Sequence, residues 1–433
     1  MKGLIITIHI LIILCLFSPA LSQDSNLLEV YKSGKITLEA DPDFADNIDI
    51  EVLFEEYSYR NIGSYLQLLN SMIISDNGDI FVSNRGEFDI RKLDNNGNYI
   101  TQFGSKGKNE GSFTDRPTLL SVSADNQILI NQINGKMVVF DTDGNFSRNI
   151  QLDYPVRHCA MLSENSIVVS GRVPFRNPDR TRFYVIIHDL KTGDDNFIYS
   201  YFQDNSKYRY ELESDRGVVL FSSPYRFDQI HMLYSAADNI IVGREKGSEI
   251  AIYSKTGKEI NRFGINGEPL KITEDIKNDY YKNIEKSYFV MGNYEITTDT
   301  LSVYYANSGD STIVRRIQAR LTDEEKTKVL ETIESPAFFP DHVPYFYKLM
   351  TDSDGNILVF IYTDDKSVHK FQVYSPKGEF ICETFLDLGI YDIAISIRSK
   401  NMVFYKGDLY CLVSLKETEG NPVRLIKVKL SSN

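Results

Sequence analysis

Apolar positions along this chain fall in short alternating runs that are cut at intervals by Asp, Asn and Gly. Met72–Ile74 and Ile80–Val82 flank the turn Asp76-Asn77-Gly78, and Ile90–Leu93 runs into Asp94-Asn95-Asn96-Gly97. The same order returns as Leu120–Val122, Ile128–Ile130 and Met137–Phe140, closing on Asp141-Thr142-Asp143-Gly144. Short β-branched and aromatic runs separated by Asp/Asn-Gly turns predict antiparallel strands joined by hairpins. One such unit cannot bury its apolar face alone, so the units are expected to stack.

Further copies start at His158, His231 and Lys348, and the turn glycines supply a ruler. Gly97, Gly144, Gly193, Gly257 and Gly378 stand 47, 49, 64 and 121 residues apart, the last gap being close to two periods. A degenerate copy on Leu301–Tyr305 and Thr312–Ile317 fits that gap. A final partial copy, Met402 to Val428, lacks an outer strand, which one of the N-terminal runs Lys35–Glu39 and Ile48–Phe54 could supply. The prediction is an all-β fold: a single β-propeller domain over residues 23–433, made of four-stranded blades and closed by an N-terminal strand. Seven blades are counted, with six the alternative if the degenerate copy is an insertion. Residues 273–286 and 322–333 break the strand period and are expected to be helical loop decorations. In the second, Thr322 stands three residues ahead of Glu325 as in a capping box.

The linker Phe103-Gly104-Ser105-Lys106-Gly107-Lys108-Asn109-Glu110-Gly111-Ser112-Phe113, followed by Pro117, resembles the connection between blades in NHL-repeat β-propellers. There an aromatic-Gly pair, two further glycines, an aromatic residue and a proline recur in that order. The resemblance covers Ser71–Leu152 well, the copies at His158, His231 and Lys348 less closely, and residues 265–340 poorly. It extends to exported bacterial proteins of the group called six-bladed propellers, whose count is the alternative to the seven counted here. It implies a ring of blades around a channel, used for recognition more often than for catalysis.

Charge narrows the partners. The 433 residues carry 60 acidic and 47 basic side chains, a net charge of -13, and no basic run, which argues against nucleic acid as partner. Met1-Lys2, the apolar stretch Leu4–Phe17 and the small residues before Gln23 read as a cleaved export signal over residues 1–22, so the mature protein is expected in the periplasm or outside the cell. The rival reading, a lipoprotein anchored at Cys15, places bulky Leu14 where a small residue belongs. No later segment is long and apolar enough to be a membrane-spanning helix. Cys159, Cys382 and Cys411 sit in apolar runs without metal-knuckle spacing and read as small buried hydrophobes. The acidic turns lack the terminal glutamate of a calcium loop and read as turn chemistry.

No nucleophile elbow, phosphate loop or Cys-x-x-Cys motif is present. Aligning copies on Ile80, Ile128, Ile167, Ile240 and Ile357 puts Ser71, Leu119, His158, His231 and Lys348 at one position, the start of the innermost strand. With the loops that lead into those strands, one end of the channel would carry Arg116, Arg157, His158, Asp228, His231, Tyr347 and Lys348. The expected function is non-catalytic binding or scaffolding by a monomer without cofactor. Its ligand would be a small molecule, glycan or protein, with anionic groups favoured by the local reversal of charge. The alternative is a metal-assisted hydrolase or lyase using His158 and His231. That alternative lacks a third ligand, and the ligand sets of gluconolactonase-type propellers are not reproduced at matching positions. Two stretches carry secondary expectations. The aromatic and proline cluster Phe338–Tyr347 would overhang the channel mouth, and the arginine-dense loop Arg172–Arg182 could meet an acidic partner.

Overall fold

The structure is a computed structural model that describes residues 27–44 and 71–430, apart from 85–86, 118, 124, 133–134, 175–179, 205–208, 216, 226–227, 236, 283–288, 292–299, 308–312, 320, 336, 366–367, 394–399 and 417–422. Helix α1 (Leu27–Lys32) and strand β1 (Lys35–Thr37) come first. Blade 1 is β2 (Met72–Ile74), β3 (Ile80–Asn84), β4 (Asp89–Leu93) and β5 (Tyr99–Phe103). Blade 2 is β6 (Leu119–Val122), β7 (Gln127–Gln132), β8 (Lys136–Asp141) and β9 (Phe146–Gln151). Blade 3 is β10 (His158–Ser163), β11 (Ser166–Pro174), β12 (Arg180–Asp189) and β13 (Asp195–Asp204). After β14 (Arg209–Ser214) and β15 (Gly217–Ser222), blade 4 is β16 (Ile230–Tyr234), β17 (Asn239–Arg244), β18 (Glu249–Ser254) and β19 (Glu259–Gly264). Then come α2 (Glu274–Lys282), β20 (Phe289–Met291), β21 (Thr300–Asn307), β22 (Ile313–Ala319) and α3 (Asp323–Ile333). Blade 5 is β23 (Lys348–Thr351), β24 (Ile357–Ile361), β25 (Val368–Tyr374) and β26 (Phe380–Asp387). Blade 6 is β27 (Tyr391–Asp392), β28 (Met402–Tyr405), β29 (Asp408–Leu415) and β30 (Val423–Lys429).

Blades 1 to 5 are antiparallel four-stranded meanders. In blade 6, β27 and β28 both pair with one edge of β29 and β30 pairs with the other, so this blade is three strands wide. Alternate residues of the strands face the two neighbouring blades. Six apolar clusters result, each shared by two adjacent blades. Leu129, Met137 and Val139 of blade 2 meet Met161, Val169 and Ile186 of blade 3, for example, while Tyr410 and Leu412 of blade 6 meet Met72, Ile80 and Val82 of blade 1. That last cluster closes the ring, so the blade count is six and the count of seven is corrected. The degenerate copy is an insertion: its strands join β14 and β15 in a separate sheet, ordered β14-β15-β20-β22-β21, outside the ring. This side sheet has its own core, in which Val219 and Phe221 pack with Val329 and Ile333 of α3 and with Phe338 and Phe339. The capping box of α3 forms as expected, Glu325 N–H donating to Thr322 Oγ1 and Thr322 N–H to the Glu325 carboxylate.

The turn glycines of the ruler all adopt the left-handed backbone, with φ between 80° and 87°. Gly144 does more than turn: a Cβ there would lie 2.7 Å from the Phe103 ring on the last strand of the preceding blade. The N-terminal segment lies along the last two blades. The expectation that the run Lys35–Glu39 completes the last blade is corrected: strand β1 pairs in parallel with β26 as a fifth strand of blade 5. The same segment meets blade 6 where Asp41 N–H donates to Lys427 O on β30. The run Ile48–Phe54, the other candidate for the closing strand, and residues 1–22 lie outside the described residues.

Candidate functional site

A propeller has two unlike faces. On one, the tight turns link first to second and third to fourth strands; on the other, longer loops cross to the next blade. We call these the turn face and the crossover face. A central cavity of about 970 Å³ is enclosed by the innermost strands and reaches the turn face at Asp76, Asp352, Asp354 and Lys406. Toward the crossover face its wall carries His158, His231, Lys348 and Lys400. The first three are buried, only 4–8 % exposed, so they line the interior of the channel and do not rim it.

The register explains why they meet. Each is paired with, or bonded next to, the residue twelve positions later on the second strand: His158 opposite Ser170, His231 opposite Gly243, Lys348 opposite Phe360. Lys400 occupies the same position in blade 6, beside Ser71 of blade 1. Sequence reasoning missed Lys400, although the nine-residue offset used for the other copies, counted back from Leu409, lands on it.

Burial governs the electrostatics. Removal from water, followed by repulsion from Lys400, pushes Lys348 down to about 7. Burial also lowers Lys400, and it takes His231 down to about 3, with the Lys348 charge adding to the effect and Asp228 opposing it. His158 holds a hydrogen bond between Nδ1 and Ser170 Oγ at 3.0 Å. His231 Nε2 lies 3.1 Å from Glu245 Oε1. Glu245 is itself pushed up to about 8, by burial first and then by Asp228, against the opposing charges of Lys246 and Arg157. Both partners are thus driven toward their neutral forms.

The remaining residues expected in the site are spread over other surroundings. Arg157 donates from Nη1 to Gln229 Oε1 at 3.1 Å. Asp228 is buried and takes two bonds from Arg244, at 2.7 and 2.5 Å, with Lys246 N–H on its other oxygen. Arg116 is exposed on the loop into blade 2 and lines neither cavity described here. Tyr347 belongs to a second cavity, of about 440 Å³, on the crossover face between blades 4 and 5. Its other walls include Tyr225, Tyr362, Glu245 and His369, none of which the sequence reading placed together.

The aromatic and proline cluster divides. Phe338 and Phe339 are core of the side sheet, Phe346 is fully buried against the His231 ring at 4.9 Å, and Val343 and Tyr347 line the second cavity. The arginine-dense stretch, expected as a loop, is largely the paired ends of β11 and β12, where Arg182 covers the Phe197 and Phe202 rings at 4.6 and 5.8 Å. Among the described residues, no group of three or more His, Cys, Asp or Glu side chains is arranged to hold a metal ion. The acidic turns are internally satisfied: Asp94, Asp141 and Asp352 each accept from backbone N–H groups of their own turn and from the amide of Asn98, Asn145 or Asn356. All three described cysteines are free; Cys159 and Cys411 are buried and Cys382 is half-buried.

Residues 66–241 match a protein-family model described as 6-bladed beta-propeller. No curated protein matches the chain. Solved structures similar to it include a candidate exported protein from Bacteroides fragilis, 11 % identical, covering 84 % of this chain and 90 % of that one with a TM-score of 0.43. A member of the duf4221 family from Bacteroides vulgatus is 10 % identical over 83 % of this chain and 92 % of that one, TM-score 0.43. Virginiamycin B lyase from Staphylococcus aureus is 10 % identical over 84 % and 86 % of the two chains, TM-score 0.34. With the closed ring of blades described above, the family-model match supports one conclusion about kind: this is an all-β, six-bladed propeller.

Proposed function

We propose that this chain is an exported, monomeric, non-catalytic binding propeller of the NHL-repeat type that holds an anionic ligand, a carboxylate or acidic sugar, in its central cavity. One observation carries the reading: Lys348 and Lys400, with His158 and His231, line the same stretch of cavity wall in a chain of net charge -13. Burial makes an ammonium group costly, and an anion in the cavity beside the two lysines would lower that cost while restoring their affinity for protons. The test is calorimetric titration of the mature protein with glucuronate, citrate and neutral glucose at pH 6. The reading expects the anions to bind, glucose not to bind, and Lys348→Met with Lys400→Met to abolish binding. Binding that survives in the double variant, or no preference for the anions over glucose, would overturn it.

A further inference from the structure

The second cavity differs from the central one in charge. Three tyrosines, Tyr225, Tyr347 and Tyr362, supply its aromatic surface, and Glu245 and Asp365 its acidic groups. No lysine or arginine is among the described residues that line it. The rings are arranged around a common corner: Tyr347 lies tilted to Tyr362 at 5.0 Å between centroids, and Tyr225 stands edge-on to Tyr362 at 5.9 Å.

The walls are built and held. Tyr347 Oη is fixed to His369 Nδ1 at 2.7 Å. Tyr225 adopts φ 58°, a left-handed backbone that a bulky residue takes only where its surroundings impose it. The aliphatic side, Leu270, Ile276 and Val343, is tied down by Val343 N–H to Leu270 O and Ile272 N–H to Asp341 O, both 2.9 Å. The Glu245 backbone is fixed as well, its N–H donating to Gln229 O and its carbonyl accepting from Tyr345 N–H. A cavity of about 440 Å³ falls within the range that holds small molecules.

We infer that this cavity binds an organic ammonium ion, its cationic head against the three tyrosine rings and its charge balanced by Glu245. Ring faces attract a cation through the negative face of their π-systems, and most strongly where water is excluded. A neutral cyclic ligand would use the same rings but would not engage the ionised form of Glu245. The inference stands apart from the central-cavity reading, since it uses neither Lys348 nor Lys400.

A consequence in protons follows. The groups that act on Glu245 are His231 at 3.1 Å, the carboxylate of Asp228, the cations Lys246 and Arg157, and the tyrosines Tyr201 and Tyr362. With Glu245 held up to about 8, the empty cavity carries it protonated at neutral pH. Binding a cation therefore expels that proton. Affinity should rise by up to about tenfold per pH unit below 8 and level off above.

The experiment titrates the mature chain with choline and with its neutral carbon isostere, 3,3-dimethylbutan-1-ol. Titrations run from pH 6 to 9 in buffers of different ionisation enthalpy. The inference expects choline to bind in the millimolar range or tighter and the alcohol at least about tenfold more weakly. Choline binding should release close to one proton at pH 7. Glu245→Gln, which keeps the shape and a hydrogen bond to His231, should weaken choline about tenfold and flatten the pH profile. Equal affinity for choline and the alcohol, no choline binding at millimolar concentration, or an unchanged pH profile in Glu245→Gln would each overturn it.

Discussion

Replacing Lys348 by Met should stabilise the protein, and by an amount that depends on pH. The side chain is 7 % exposed and lines the cavity beside Lys400. Its ammonium group titrates at about 7 in place of the ordinary 10.5. In the unfolded chain the ordinary value applies, so between pH 7 and 10.5 the folded protein holds fewer protons than the unfolded one. Stability therefore climbs as pH rises through that window, and the full cost of burying the charge is present below pH 7. At about 1.4 kcal/mol for each tenfold change in proton affinity, that cost is about 5 kcal/mol at pH 6 and about 2 kcal/mol at pH 9. Methionine fills nearly the same volume without the charge. Urea denaturation of parent and variant at both pH values measures the difference, because the other titrating groups are common to the two proteins and behave alike apart from Lys400 and His231, whose own burdens ease when Lys348 is replaced by a neutral side chain. The expected gain is several kcal/mol at pH 6, shrinking by about 3 kcal/mol at pH 9. A variant less stable than the parent at pH 6, or a difference that does not shrink with pH, would show that the ammonium group is not held in the wall at a cost and would refute the reasoning.

Gly144→Ala should destabilise by about 2–4 kcal/mol, combining left-handed strain with the clash against Phe103. Gly193→Ala, with φ 80° and open space around its Cβ, should lose only about 1–2 kcal/mol, and urea midpoints compare the two. Asp228→Asn leaves Arg244 without its carboxylate; since Arg244 keeps 38 % of its side chain in water, the loss should be about 2 kcal/mol, read from thermal unfolding. Thr322→Ala removes the hydroxyl half of the α3 capping box and should cost about 1 kcal/mol, seen as faster amide exchange in α3 while exchange in the blades is unchanged.

Much of the ring was legible because its signal is periodic. Strand alternation, the turn glycines and a constant offset between first and second strands suffice to put His158, His231 and Lys348 in one position, and the same offset extends to Lys400. The side sheet was misread as a seventh blade because its strands do have β composition. What distinguishes it is partnership: β15 pairs with β20, about 70 residues away across blade 4, and no local pattern encodes that. The second cavity was invisible for a related reason. Tyr225, Glu245, Tyr347 and Tyr362 come from four separate loops and strand ends of two blades, with no repeat to align them. Asp228 and Arg157 were expected to add charge to the channel, but each spends its polar atoms on a neighbour, Arg244 and Gln229, that sequence spacing does not reveal.

The N-terminal segment bears on how the ring comes together in time. Leu27, Val30 and Tyr31 of α1 are packed into the same cluster as Phe371 of blade 5 and Val428 of blade 6, and Tyr31 Oη donates to Asp352 across 321 residues of sequence. A chain made from its N-terminus must therefore hold this segment unpaired until nearly all of the propeller has been made. Contacts of such span carry the largest loop-closure entropy and form late, so the joint between blades 5 and 6 is where the last step of folding should lie. Interactions made after the transition state govern unfolding more than folding. The clasp of α1 and β1 thus acts as a kinetic lock: weakening it should shorten the lifetime of the closed ring far more than it slows the ring's assembly.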